Sequence, residues 1–334
     1  MFAWIAASVT VRNKRFRFSA VSRGRQRQDA FVILYPKALI ITVNYHNAES
    51  TLEFLNSASH LEAFDHADLL VVDNNSGGES AARIHKSVTQ LGNVEVLEAK
   101  VNRGYFGGAN WALQQYLAHG FRPDWIIVCN NDILFPDPQF LPNLFQWDPS
   151  TVAVLAPAVI ARLTGVDANP FLRRRPSKWQ MRRYKFWLSH YYLMWFKQWL
   201  APQVRILRHR ARQWRSAAPV QMRTRIYAPH GSFIIFSRTF FDAGGTIDDG
   251  SFLYAEEFCV GETCYRLDLP VIHDPDLKVW HNAHQTTGRM LTRPIYDYQR
   301  QGLSYAMRKY NLQTAGSDHS RREQLTAPER DDVM

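Results

Sequence analysis

The chain has 334 residues, of which 46% are hydrophobic and 13% aromatic, which excludes a disordered chain and allows a large buried core. Its net charge of +10 is local: residues 168–241 hold 16 Lys and Arg and no Asp or Glu, so the remainder is net acidic. Cys129, Cys259 and Cys264 form neither a disulfide framework nor a metal-type spacing, and no uncharged apolar run reaches the ~20 residues that span a bilayer, so a reducing, cytoplasmic location is expected.

Residues 1–33 carry Arg12, Lys14, Arg15, Arg17, Arg23, Arg25 and Arg27 before the first acid, Asp29, and are read as a basic disordered extension. The first strand is predicted over Ala38–Val43, ending in Asn44-Tyr45-His46-Asn47. A helix follows, with Leu52, Leu55, Ala58 and Leu61 at every third position. Leu69–Val72 is a second strand, ending in Asp73-Asn74-Asn75, and Glu79–Leu91 a second helix. After a strand at Val94–Leu97 comes the glycine-rich turn Asn102–Asn110, leading a helix to about His119. The turn matches neither the dinucleotide fingerprint nor a P-loop.

Trp125–Asp132 is a buried strand that stops at Asn130-Asn131-Asp132. Strands alternating with helices predict an α/β fold with a mainly parallel sheet. In such sheets ligands sit beyond the carboxyl ends of the strands. Three of four strands end there in Asn or Asp (Asn44, Asp73, Asp132), which makes one distributed polar site.

Val152–Ile160 is a further strand, followed by the basic block at 168–222. Within it Tyr184, Trp187, Leu188, Tyr191, Tyr192, Trp195, Phe196 and Trp199 trace one apolar stripe of a continuous helix, with Arg and Lys on much of the remainder. Such a helix suits an anionic membrane surface over 172–215, and core packing of the stripe is the competing reading. Ser232–Phe236 is a strand, and Phe252–Phe258 leads into a helix through Arg266 that begins at Glu256-Glu257. Val271-Ile272 and Leu277–His281 read as two short strands, and residues 313–334 as a disordered tail.

The ordered set Ile41–Tyr45, Val71–Ser76, Asn102–Asn110, Asn130–Asp132, Phe252–Glu257 and Val279–His281 resembles the family 2 glycosyltransferases, closest to their rhamnosyltransferase-like branch. The resemblance implies a GT-A fold over 34–312: a Rossmann-like, mainly parallel mixed sheet flanked by helices, with the basic aromatic helices as an insertion. It implies inverting transfer from a nucleotide-diphosphate sugar to a glycan or lipid-linked hydroxyl in cell-surface polysaccharide synthesis, and a divalent cation, Mn or Mg. It implies that Thr42, Asn44, Asp73, Asn75, Arg103, Gly108, Asn130 and Asn131 line the donor. Asp132, the last position of a D-x-D motif, and His281 would hold the metal. Glu257, or alternatively Glu256, would be the catalytic base. Asn130 departs from the motif, whose first residue is Asp, and leaves it a single carboxylate.

Two other classes fit parts of the sequence. A nucleotidyltransferase on a related sheet would release pyrophosphate. A basic nucleic-acid-binding protein would account for the arginine runs, but not for the order of strand-end acids, which repel phosphates without a metal. The expectation is therefore no nucleic-acid partner, and an enzyme peripheral to the inner face of the plasma membrane.

Overall fold

The computed structural model describes residues 38–200, 222–282 and 291–312. The basic extension at 1–33, the tail at 313–334 and the arginine run at 205–215 lie outside the described residues.

Four parallel strands build the first half: β1 (Ala38–Asn44), β2 (Ala67–Asp73), β3 (Val94–Glu98) and β4 (Trp125–Asn130). β1 lies between β2 and β4, with Ala38 opposite both Ala67 and Trp125. Its run of apolar residues has no solvent face: Ala38 and Ile40 join one core layer, Leu39 and Ile41 the other. The first layer is covered by α1 (Ala48–Ser59) and α2 (Gly78–Val88), the second by α3 (Tyr105–Ala118). α1 starts one turn earlier than the leucine spacing indicates, because the Asn47 side chain caps it by accepting from the Ser50 N–H at 3.3 Å.

The second half adds β5 (Ile133–Leu134), α4 (Phe140–Leu144), β6 (Val154–Ala161), β7 (Val166–Asp167), α5 (Lys178–Trp187), α6 (191–200), β8 (Thr224–Ile226), β9 (Phe233–Ser237), α7 (Arg238–Asp242), α8 (Glu256–Leu267), β10 (Val271–His281) and α9 (Arg293–Lys309). The sheet order is β3-β2-β1-β4-β9-β6-β10-β5, with β7 paired to β6 and β8 to β10. β9 runs antiparallel between β4 and β6, while the longer ladders, including β6 with β10, are parallel. The sheet is thus mixed and mainly parallel, as expected.

Three expectations are corrected. The aromatic stripe is not one helix: α5 stops at Trp187 and α6 begins at 191. The break is held by polar contacts, since Tyr296 Oη donates to the Leu188 carbonyl at 2.9 Å and Ser189 Oγ to that of Phe186 at 2.7 Å. The two short strands at 271–281 are one, β10, carrying a register shift between Asp274 and Lys278. Pro275 in that shift has no N–H to place in a ladder, and it looked like a strand end. Finally α9 had no counterpart in the sequence pattern, although Thr292 and Pro294 are ordinary start signals. Its buried residues Leu303, Ala306 and Met307 pack with Met181 of α5 and Phe258 of α8 in a third, smaller core.

Candidate active site

The carboxyl ends of β1, β2 and β4 are joined by one buried hydrogen-bond network. Asn44 Nδ2 donates to Asp73 Oδ1 at 2.8 Å and Ser76 Oγ at 3.1 Å, while its Oδ1 accepts from Thr51 Oγ1 at 3.0 Å. Asn131 Nδ2 donates to Thr51 Oγ1 at 2.9 Å and to the Asn47 carbonyl at 3.2 Å. Asp73 Oδ2 accepts the Ser76 N–H at 3.0 Å. A buried polar group is stable only when its partners are met, and here the partners are one another.

Several expected donor-lining residues therefore sit in the scaffold. Thr42 and Asn44 are fully buried within the sheet, and Asn131 is buried with its amide committed to the network. Gly108 is the fourth residue of α3 and packs against Val43 and Val72, so it lies under the site and presents no surface to a ligand. Asn75 and Arg103 are exposed at the rim, Asn75 in a left-handed turn at φ 65° and the Arg103 guanidinium 5.3 Å over the Trp111 ring. The glycine turn is tied to β2 by Asn74, whose Nδ2 donates to the Gly104 carbonyl at 2.8 Å and whose Oδ1 accepts the Arg103 N–H at 2.8 Å. Gly104 is obligatory there: its φ is +75° and an added Cβ would lie 1.9 Å from the Phe252 carbonyl oxygen.

Asp132 and His281 are brought together from residues far apart in sequence. β10 ends beside β5, with His281 opposite Ile133, and the Asn282 N–H donates to the Asp132 carbonyl at 2.9 Å. This sets His281 Nε2 3.2 Å from Asp132 Oδ1, with Asn130 Nδ2 3.5 Å from the same nitrogen. Asp132 is buried, yet its Oδ1 accepts no hydrogen bond among the described residues. A buried carboxylate oxygen facing an imidazole nitrogen in this way fits a shared cation. Two protein ligands are few, and no group of three His, Cys, Asp or Glu suited to a metal occurs among the described residues. That number fits Mg or Mn, which take one or two carboxylates and complete their shell with substrate phosphates and water.

Glu256 and Glu257 open α8, after Tyr254 and Ala255 at φ 66° and 74°. Two successive left-handed non-glycine residues cost roughly 1–3 kcal/mol each, a strain that the surrounding packing must hold. Gly302 of α9 supplies that packing, since a Cβ there would meet the Tyr254 and Leu253 carbonyls at 2.6 and 2.8 Å. Glu257 Oε1 accepts the Gly231 N–H at 3.2 Å. Burial raises the carboxyl pKa of both residues, that of Glu256 to about 8, with the Glu257 charge adding to the rise.

From the sequence no role in this site is assigned to Tyr105, Gly231 or His230. Tyr105 Oη donates to the Gly231 carbonyl at 3.0 Å. Its pKa is raised well above the ordinary tyrosine value by burial first, then by Cys129, Glu256, Asp132 and Glu257, so Asp132 and both glutamates act electrostatically on this one hydroxyl. The His230 ring lies 6.0 Å from that of His281, and burial together with His281 holds its pKa down to about 4, which keeps it neutral. The one available sign was Pro229-His230-Gly231 at the entrance to a predicted strand.

Residues 39–243 match the model of the family described as "Glycosyl transferase family 2". No curated protein matches the sequence. Among solved structures, GalNAc-T7 with UDP, GalNAc and Mn2+ is similar at a TM-score of 0.55 and 14% identity, over 83% of this chain and 50% of that one. This chain therefore spans about half the length of that relative. TarS 1-349 of S. aureus in complex with UDP-GlcNAc is similar at a TM-score of 0.51 and 14% identity, over 86% and 70% of the two chains. A mannosyltransferase from Pyrobaculum calidifontis in complex with GDP-Man and Mn2+ gives 0.48 and 15%, over 84% and 74%.

Proposed function

The chain belongs to glycosyl transferase family 2 and is a nucleotide-sugar-dependent glycosyltransferase, and within that class we propose inverting transfer to a hydroxyl of a glycan or lipid-linked acceptor, with Glu257 as base and Asp132 and His281 at the donor diphosphate. The observation that carries this reading is Asp132 Oδ1, buried without a hydrogen-bond donor and 3.2 Å from His281 Nε2. GalNAc-T7, whose fold is similar, was solved with Mn2+ and UDP. A divalent cation, when bound, would neutralise charge on the leaving diphosphate.

The protein's own part follows from the placement of its carboxylates. The acceptor O–H attacks the anomeric carbon as the bond from that carbon to the diphosphate oxygen breaks. The proton goes to the Glu257 carboxylate, and the nucleoside diphosphate leaves. A base works best with a pKa near the operating pH, and burial moves Glu257 upward in that direction. The Gly231 N–H fixes one carboxylate oxygen and leaves the other for the acceptor. Burial and the neighbouring Glu257 charge raise the Glu256 pKa, which disfavours a second negative charge beside the base. Exposed Arg103 and Asn75 are the rim residues that remain able to touch the donor, while Asn44, Asp73 and Asn131 hold the strand ends in place. The Asn130-x-Asp132 form supports the rhamnosyltransferase-like branch, and cell-surface polysaccharide synthesis in the cytoplasm is the setting we assign.

The test is calorimetric titration of UDP, GDP and their sugar conjugates with and without Mn2+. Asp132→Asn is expected to abolish the Mn2+-dependent part of binding, and unchanged binding would remove Asp132 from the site. Release of pyrophosphate instead of a nucleoside diphosphate would identify a nucleotidyltransferase.

A further inference from the structure

The basic aromatic block divides into two sets of side chains with different fates. Met181, Tyr184 and Leu188 pack into the small core with α8 and α9, and Tyr191 rests against the Tyr296 ring with its Oη donating to the Leu291 carbonyl. Core packing accounts for these four. It does not account for Trp179 and Phe186 on α5, or for Tyr192, Trp195, Phe196 and Trp199 on α6, which are between 41% and 78% exposed.

The exposed residues of α6 recur at the spacing of one helix face: 192, 195, 196, 199. Phe196 and Trp199 stack with ring centroids 5.9 Å apart, so these two form one apolar patch and not two isolated residues. Among the described residues of α6, 191–200, the single cation is Lys197, and it is drawn back over the Trp187 ring of α5 at 5.8 Å. The exposed cations sit on α5 instead: Lys178, Arg182, Arg183 and Lys185, with Arg183 over Trp179 at 4.9 Å. Neither helix carries an acid.

This arrangement distinguishes between polyanions. A nucleic-acid groove interleaves its cations with the stacking aromatics so that phosphates are met along the whole strand. Here one helix offers large aromatics almost without charge, and its neighbour offers the charge. That division suits a bilayer surface, where Trp and Tyr sit at the headgroup level and Lys and Arg meet anionic lipids. No helix among the described residues is long and apolar enough to cross a membrane, so contact would be from one side.

We propose that the outer face of α5 and α6 docks this protein peripherally on a membrane containing anionic lipid, with α6 aromatics at the acyl boundary and α5 cations on the headgroups. The surface lies outside the catalytic cluster, so this inference does not depend on which hydroxyl is glycosylated. It does give a lipid-linked acceptor a place to be met, because α5 packs on α8, which carries Glu257.

The experiment is flotation of the full chain with phosphatidylcholine vesicles and with phosphatidylcholine–phosphatidylglycerol vesicles, with nucleotide binding as the check on folding. The protein is expected to float with the anionic vesicles and to stay down with the neutral ones. W195S/F196S/W199S is expected to lower partitioning at least about tenfold. K178Q/R182Q/K185Q is expected to lower it about fivefold for each charge removed. The proposal is overturned if the protein floats with neither vesicle or with both equally, if the aromatic variant partitions normally, or if single-stranded RNA is bound tightly while vesicles are not. Any of these results would leave the transferase reading standing, since nucleotide binding is read separately.

Discussion

Gly231→Ala perturbs the proposed base without changing its carboxylate. A Cβ at Gly231 would stand 2.8 Å from Glu257 Oε1 and 3.2 Å from its Cδ. Comfortable contacts of carbon begin near ~3.5 Å, so the carboxylate must retreat by roughly 0.5 Å or more, and its 3.2 Å bond from the Gly231 N–H is lost or lengthened. The φ of Gly231 is outside the left-handed region, so alanine meets no backbone penalty there and the change stays local. A displacement of about 1 Å in a reacting group costs about 100-fold in rate, so a loss of roughly 10- to 100-fold in kcat is expected, or about 1.4–2.8 kcal/mol of barrier. Overpacking beside a side-chain end should remove only about 1 kcal/mol of stability. Initial rates with a nucleotide sugar, alongside calorimetric binding of the nucleotide, separate the effects. Wild-type turnover in the variant, or an equal loss in nucleotide binding, would refute the placement of Glu257 as base.

Glu256 should make the protein less stable as pH rises. Its folded pKa of about 8 lies above the ordinary 4.5, so between these values the folded state holds a proton that the unfolded state has lost, and stability falls across that window. In Glu256→Gln the drop in thermal midpoint between pH 5 and pH 8 should shrink, and an unchanged drop would place the titration elsewhere. Asp248 behaves oppositely. Burial raises its pKa, but hydrogen bonds from Tyr310, Tyr305, Lys309 and the Gly250 N–H outweigh this and hold it at about 2. Its contribution is therefore present above the ordinary value of 3.8 and lost as pH falls through about 2. Asp248→Asn removes the carboxylate that joins the loop before α8 to α9, and should cost about 1–3 kcal/mol in denaturant unfolding; a change within error would show that α9 is held by apolar packing alone.

The strands β1, β2 and β4 were legible in the sequence because each is an apolar run closed by a polar cluster, and β3 because it stands between a helix and a glycine-rich turn. The partners Asp132 and His281 were named from family resemblance, and the structure sets them 3.2 Å apart. What sequence did not reveal is the direction of each polar side chain. The resemblance assigns Asn44, Asn131 and Thr42 to the donor, and in the structure the first two are hydrogen-bonded in joining strand ends while the third is buried in the sheet. A buried amide and an open one have the same letter. Likewise Tyr105 lies within the glycine-rich turn, and its hydroxyl reaches Gly231 from 126 residues away. The aromatic stripe had correct periodicity but hid the break at 188–190, where Tyr296 of a helix absent from the pattern takes up the Leu188 carbonyl. The Tyr105–Gly231 and Tyr296–Leu188 bonds are long-range contacts, which local pattern does not encode.

Two strand-end residues face a diphosphate and one helix-start carboxylate takes the acceptor proton: that division of labour is the central claim. Glu257→Gln tests it most directly, with sugar transfer and Mn2+-dependent nucleotide binding measured on the same preparation. The variant keeps the side-chain shape but has no carboxylate to take a proton, so transfer should fall by about 10²–10⁴-fold while nucleotide binding stays unchanged. Transfer at the wild-type rate would contradict the account.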